Sequence, residues 1–155
     1  MLIVREMYDS DVKKVAQIEE KVFSMPWSEE AFREMIKCPD AYYVVAEEEG
    51  QILGCCGVRN ILGEGEITNV VVMNEYQNRG IGRMMLEYLL EKGRNAGIEA
   101  FILEVRKSNE NAIHLYEKLG FVTEGIRKNF YEKPVEDGLI MWKRVKQQLE
   151  NSDYN

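Results

Sequence analysis

The sequence has a single histidine, His114, among its 155 residues. A metal centre built from several histidines is therefore excluded. Its cysteines, Cys38, Cys55 and Cys56, are odd in number and form no C-x-x-C pair. Adjacent cysteines on a strand point to opposite faces. Neither a disulfide framework nor a thiolate zinc site is expected, and no metal is expected at all. No apolar run approaches the roughly 20 residues that span a bilayer. The apolar start, residues 1–4, is too short for a signal peptide and follows no basic region, so a cytoplasmic protein is expected. Positive charge is also short: 20 Lys and Arg face 27 Asp and Glu, for a net charge of -7. Non-specific nucleic-acid binding needs a cationic face and is not expected. A cationic partner, an amine or a basic peptide, fits the charge, although solubility alone would also account for it.

The length suits one domain, and 45% hydrophobic residues is ordinary for a globular chain. No repeat, low-complexity stretch or linker interrupts it. One domain over residues 1–146 is expected, followed by a polar tail, 147–155, that frays. Residues 2–6 suit a strand. Asp9 or Ser10 can cap a helix to about Phe23, with Val12, Val15, Ile18 and Val22 on one face. Met25-Pro26-Trp27 breaks it, and Ser28 caps a second helix. Strands are predicted at 42–46, 52–59 and 66–72, a helix at 83–95, a strand at 100–105 and a helix at 109–119. A strand begins at 121–124, and a last one at 139–144 follows a turn at Asp137-Gly138. The order β-α-α-β-β-β-α-β-α-β-β calls for a layered α/β or α+β fold with a mixed sheet.

Two stretches carry chemistry. In Gln77-Asn78-Arg79-Gly80-Ile81-Gly82-Arg83, a glycine-rich turn joins a strand to a helix. Such a turn lets backbone N–H groups approach an anion, and the helix start adds free donors and a positive dipole. Arg79 and Arg83 add charge, so the loop can hold a pyrophosphate. No lysine follows Gly82, and position 85 is Met85 where a dinucleotide fingerprint needs glycine. The glycines could also serve only a tight turn. In the second stretch, Glu104 sits among Phe101, Ile102, Leu103 and Val105. Burial would raise its pKa towards that of a useful base, unless Arg106 or a cation on a neighbouring strand pairs with it. Ala112, Ile113, Tyr116 and Leu119 share a helix face, so Tyr116 points inward with a hydroxyl that needs a partner or sits at the rim.

Together, Asn69-Val70-Val71-Val72, Gln77-x-x-Gly80-x-Gly82 and Asn109-x-x-Ala112-x-x-Leu115-Tyr116-x-x-x-Gly120-Phe121 resemble the GNAT superfamily of N-acetyltransferases. Phe23-Ser24-Met25-Pro26-Trp27-Ser28, residues 103–109 and residues 126–131 resemble its RimI type, which acetylates the amino-terminal alanine of ribosomal small-subunit protein eighteen. That type often has Tyr where Phe130 stands here, and residues 133–136 are particular to this chain. The resemblance implies a sheet of about seven strands flanked by about four helices, with acetyl-CoA as cosubstrate. It implies that Val70, Val71 and Val72 hold the acetyl group and pantetheine arm. Asn78, Arg79, Gly80, Ile81, Gly82 and Arg83 would hold the pyrophosphate, and Asn109 the coenzyme arm. Glu104 is then the general base, with Glu66 the next candidate, and Tyr116 the general acid. Trp27 and Tyr131 would line the acceptor groove, and the partner would be a free amino terminus, ribosomal in origin. A peptide α-amine, with a pKa of about 8, needs less help from a base than a lysine at about 10.4. A lysine side chain, a polyamine, or acyl-coenzyme binding without catalysis are the other readings.

Overall fold

The computed structural model describes residues 1–145; the tail expected at 147–155, and Lys146, lie outside the described residues. The chain runs β1 (Leu2–Glu6), α1 (Val12–Val22), α2 (Glu29–Ile36), β2 (Ala41–Glu48), β3 (Gln51–Ile61), β4 (Glu64–Val72), α3 (Ile81–Asn95), β5 (Ala100–Arg106), α4 (Glu110–Lys118), β6 (Val122–Tyr131) and β7 (Glu136–Arg144). The strands form one mixed sheet in the order β1-β2-β3-β4-β5-β7-β6. Among the described residues only β4 and β5 pair in parallel. The predicted element order and mixed α+β architecture are those of the structure.

Side-chain alternation along the strands divides the core in two. Val44, Cys56, Ile67, Phe101, Leu103 and Val105 pack with α3 and with Tyr116 of α4. Val45, Cys55 and Val71 point the other way, towards Val12, Val15 and Ile18 of α1 and Phe32 of α2. Cys55 and Cys56 are both fully buried on opposite faces. Ser28 caps α2 as its sequence suggests, its side chain accepting from the Ala31 N–H at 3.2 Å.

Several element ends shift by one to three residues from the sequence reading, and three differences have a plain physical reason. The first helix proper starts at Val12, after a 3-10 turn over Asp9–Asp11. Asp11 is drawn inward, because its carboxylate accepts two bonds from Arg5, at 2.8 and 3.0 Å, and one from the Tyr8 N–H. The third helix begins two residues early, at Ile81, after Gly80 in the left-handed conformation (φ 79°). Asp137-Gly138 is no turn but lies within β7; the chain reverses at residues 132–135. Asp137 accepts from the Asn129 N–H at 2.9 Å, and a Cβ on Gly138 would lie 3.2 Å from the Tyr131 ring. The glycine there admits an aromatic ring, not a bend.

Gly57 shows the same device in the core. A Cβ there would sit 2.3–2.5 Å from three atoms of the Tyr43 ring. That ring is buried and its hydroxyl is held by Thr68 and Asn69, so it has little room to yield. Gly57→Ala is expected to destabilise the fold by about 1–3 kcal/mol in denaturant unfolding, as overpacking does. A loss below about 0.5 kcal/mol would show that the ring gives way.

Candidate active site

The site begins with a sheet that comes apart. β4 and β5 pair only at Glu64↔Ala100, Gly65↔Phe101 and Glu66↔Ile102. Beyond that point β4 is bulged: Cys56 of β3 faces both Asn69 and Val70, and Asn69 takes φ 59°. A bulge bends and twists its strand, which carries residues 67–72 away from residues 103–106. Met73 N–H donates to Leu53 O on the β3 side at 2.8 Å. Strand alternation therefore turns the Val72 N–H towards the gap. The Val72 carbonyl accepts from the Gln77 side chain at 3.2 Å. Val71 packs in the α1–α2 core, while Val70 and Val72 are half-buried against the α3–α4 core.

The glycine loop closes one end of this gap. Asn78 (φ 65°) and Gly80 (φ 79°) are both left-handed, and α3 starts at Ile81 with its first N–H groups free of helical partners. A Cβ on Gly82 would lie 3.4 Å from Leu115 and 4.0 Å from Val72, so the loop abuts both α4 and the bulged strand. Arg79 pairs with Glu48 at 3.2 Å and Arg83 with Glu87 at 2.7 Å, both in solvent. Exposed pairs of this kind are worth little and exchange readily for a phosphate. Asn109 caps α4, its Oδ1 accepting from the Ala112 N–H at 3.3 Å.

Glu104 and Tyr116 lie on opposite faces of the sheet. Leu103 and Val105 join the core that holds Tyr116, so Glu104 between them faces the other way. Tyr116 is 6% exposed, edge-on to Phe121 with centroids 6.0 Å apart. Burial pushes its hydroxyl well above the ordinary tyrosine value, so it stays protonated. Glu104 has one oxygen 3.4 Å from Arg127; its Oε2 is buried with no hydrogen-bond partner among the described residues. Burial raises its carboxyl, Arg127 partly offsets this, and Glu66 adds repulsion. The cation is thus neither of the simplest choices. Arg127 lies on β6 and reaches across β7, where only Gly138 stands opposite it.

Arg106, considered only as a partner for Glu104, has other bonds. Its guanidinium donates to Glu136 (3.2 Å), to the carbonyls of Glu132 (2.9 Å) and Pro134 (3.0 Å), and to Ser24 Oγ (3.3 Å). It also lies over the Tyr131 ring, 4.5 Å from its centroid. One side chain thus ties the β6–β7 turn to the α1–α2 loop, which holds Trp27 packed on Phe32 and Tyr43. The Tyr131 hydroxyl is raised by burial and by the nearby charge of Glu104. Sequence spacing gives no sign of these long-range bonds. Both buried thiols are pushed well up by burial, which makes poor nucleophiles of Cys55 and Cys56.

A model of the Acetyltransferase (GNAT) family matches residues 12–121. The chain belongs to that family. It is 36% identical over 140 residues to the provisionally named ribosomal protein bS18-alanine N-acetyltransferase of Bacillus subtilis, covering 90% of this chain and 93% of that one. It is 32% identical over 139 residues to the ribosomal protein bS18-alanine N-acetyltransferase of Escherichia coli K12, covering 89% and 91%. The crystal structure of the ribosomal-protein-S18-alanine N-acetyltransferase from Escherichia coli superposes with a TM-score of 0.87 at 31% identity, covering 94% of each chain. The fold, the order of motifs and the acetyltransferase class inferred from the sequence all agree with membership of this family.

The Glu104 environment has a direct consequence for its titration. Its carboxyl is expected to titrate by NMR above the ordinary glutamate value of about 4.3. Arg127→Gln removes the cation that favours the ionised form, so the midpoint should move further up. A midpoint at or below the ordinary value, or one unmoved by Arg127→Gln, would contradict the assigned balance of burial and charge.

Proposed function

We propose that residues 1–146 form one acetyl-CoA-dependent acetyltransferase domain acting on a protein's free α-amine, in the cytoplasm. The acceptor is the amino-terminal alanine of ribosomal protein bS18. The observation that carries this reading is the pair Glu104 and Tyr116 on opposite faces of a gap in the sheet. The relatives' named substrate supports the choice of acceptor, and the net charge of -7 suits a basic amino terminus.

The residues fit an acetylated pantetheine cosubstrate. The N–H groups at Ile81, Gly82 and Arg83, with the turn at Asn78 and Gly80 and the side chains of Arg79 and Arg83, would take the pyrophosphate. The Nδ2 side of Asn109 and the edge of residues 70–72 would take the pantetheine arm. The acetyl carbonyl would meet the Val72 N–H, or that of Val70, as an oxyanion donor. This arm lies on the Tyr116 side of the sheet. The acceptor would enter from the Glu104 side, between Trp27 of the α1–α2 loop and Tyr131 of β6.

Glu104 takes a proton from the ammonium, directly or through one water. Its raised pKa brings it closer to that of an α-amine, which improves the transfer. The amine nitrogen then bonds to the acetyl carbon. The carbon–sulfur bond breaks, Tyr116 gives its proton to the departing thiolate, and the second proton lost by the nitrogen restores Tyr116 through solvent. Burial keeps that proton on Tyr116 until the thiolate forms. No covalent enzyme intermediate is needed.

Thiol release from acetyl-CoA tests the reading with three acceptors: a peptide copying the bS18 amino terminus, the same peptide with its amine blocked, and spermidine. Turnover with the free peptide alone is the expected result. Turnover with spermidine or the blocked peptide would overturn the acceptor and favour a polyamine or lysine side chain; no turnover with any would overturn the function. Tyr116→Phe should lower kcat by about 10²- to 10⁴-fold while leaving acetyl-CoA affinity within about twofold. An unchanged rate would remove Tyr116 as the acid.

A further inference from the structure

Glu19 is an acid in the middle of an apolar core. It lies on the inner face of α1 and is 1% exposed, beside Val15, Ala16 and Ile18. An isolated buried carboxylate is costly. Here both oxygens have donors: Oε1 accepts from the Trp27 N–H at 2.8 Å, and Oε2 from Asn69 Nδ2 at 2.7 Å. The other end of the same amide, Asn69 Oδ1, accepts from the Tyr43 hydroxyl at 3.0 Å, which also bonds Thr68 Oγ1 at 2.8 Å. Asn69 is the left-handed residue of the β4 bulge. The carboxylate therefore joins two parts of the site that are far apart in sequence. One is the loop of residues 23–28, which carries Ser24 and Trp27. The other is the bulge that parts β4 from β5 and presents the Val72 N–H.

We propose that Glu19 is a positioning residue that fixes the acceptor loop to the acetyl-holding strand through Asn69. It touches neither substrate. It sets the distance between the loop that would orient the amine and the strand that would polarise the carbonyl; this kinetic role rests on the function proposed above. Removing the carboxylate alone takes the acceptor away from the Trp27 N–H and Asn69 Nδ2, which lowers stability, so its role is told from plain stability by where the loss is felt. A methionine of similar length keeps the side-chain volume and leaves the loop and the bulge unconnected.

The test compares the full chain with Glu19→Met and Asn69→Gly, the latter keeping the positive φ while cutting the link. Amide hydrogen exchange is read at Trp27 and at residues 69–72, together with melting temperature and kcat/KM for the acceptor peptide. Glu19→Met should lower the melting temperature and also exchange faster at both segments, with kcat/KM down about tenfold or more. Val15→Ala, a cavity in the same core outside the network, should lower the melting temperature without raising exchange at residues 69–72. Asn69→Gly should reproduce the Glu19→Met effects, and the double variant should be no worse than either. Faster exchange confined to the loop, additive losses in the double variant, or an unchanged kcat/KM would overturn the proposal. The exchange arm reads the link even if no acceptor turns over, so a failed link and a failed function are told apart.

Discussion

Everything at the site follows from the parallel pairing of β4 and β5 ending after three positions, at Glu66↔Ile102. A parallel pair continued to Val72 and Arg106 would satisfy every N–H along both strands and leave no opening. The bulge at Asn69 and Val70 turns β4 away, so that a backbone donor faces a gap in place of a neighbouring strand. An opened sheet needs support, because unpaired backbone groups in an interior are costly. The support comes from the two cores, one on each face, and from the buried network at Asn69.

Three carboxylates show how the fold handles buried acid. Asp11 is offset against Arg5 and the Tyr8 N–H, which overcome its desolvation and hold it below the ordinary value. Glu19 has a donor for each oxygen but no cation beside it among the described residues, and burial leaves it raised. Glu104 is the incomplete case: one oxygen faces Arg127 at 3.4 Å and the other has no partner among the described residues. The first two are built into the fold. The third retains an unmet capacity to bind a proton, as a base on the acceptor side needs.

Much of this was legible in the sequence, for reasons that can be stated. Strand and helix order follows from hydrophobic period, and local capping placed Ser28 correctly. Gly80 and Gly82 marked the strand-to-helix turn, and the inward face of α4 marked Tyr116 as buried. Asp137-Gly138 misled because turn composition cannot distinguish a bend from a glycine that admits the Tyr131 ring. Glu19 was hidden by its own helix, where the pattern of Val12, Val15 and Ile18 defines a face without showing that an acid shares it. Asn69 stood in a motif, but the partners of its side-chain amide, Tyr43 and Glu19, are 26 and 50 residues away. The same holds for Arg106, whose partners lie on two separate loops. Long-range hydrogen bonds have no sequence period, so they appear only once the chain is folded.

The central claim is that the acetyl group lies in the gap between β4 and β5, with Tyr116 on one side and Glu104 on the other. A crystal structure of the complex with acetyl-CoA tests it most directly. The expected result is the acetyl oxygen within hydrogen-bond distance of the Val72 or Val70 N–H, and the sulfur facing the Tyr116 hydroxyl. An acetyl group held elsewhere, with residues 67–72 and 103–106 still parted and empty between them, would contradict the account.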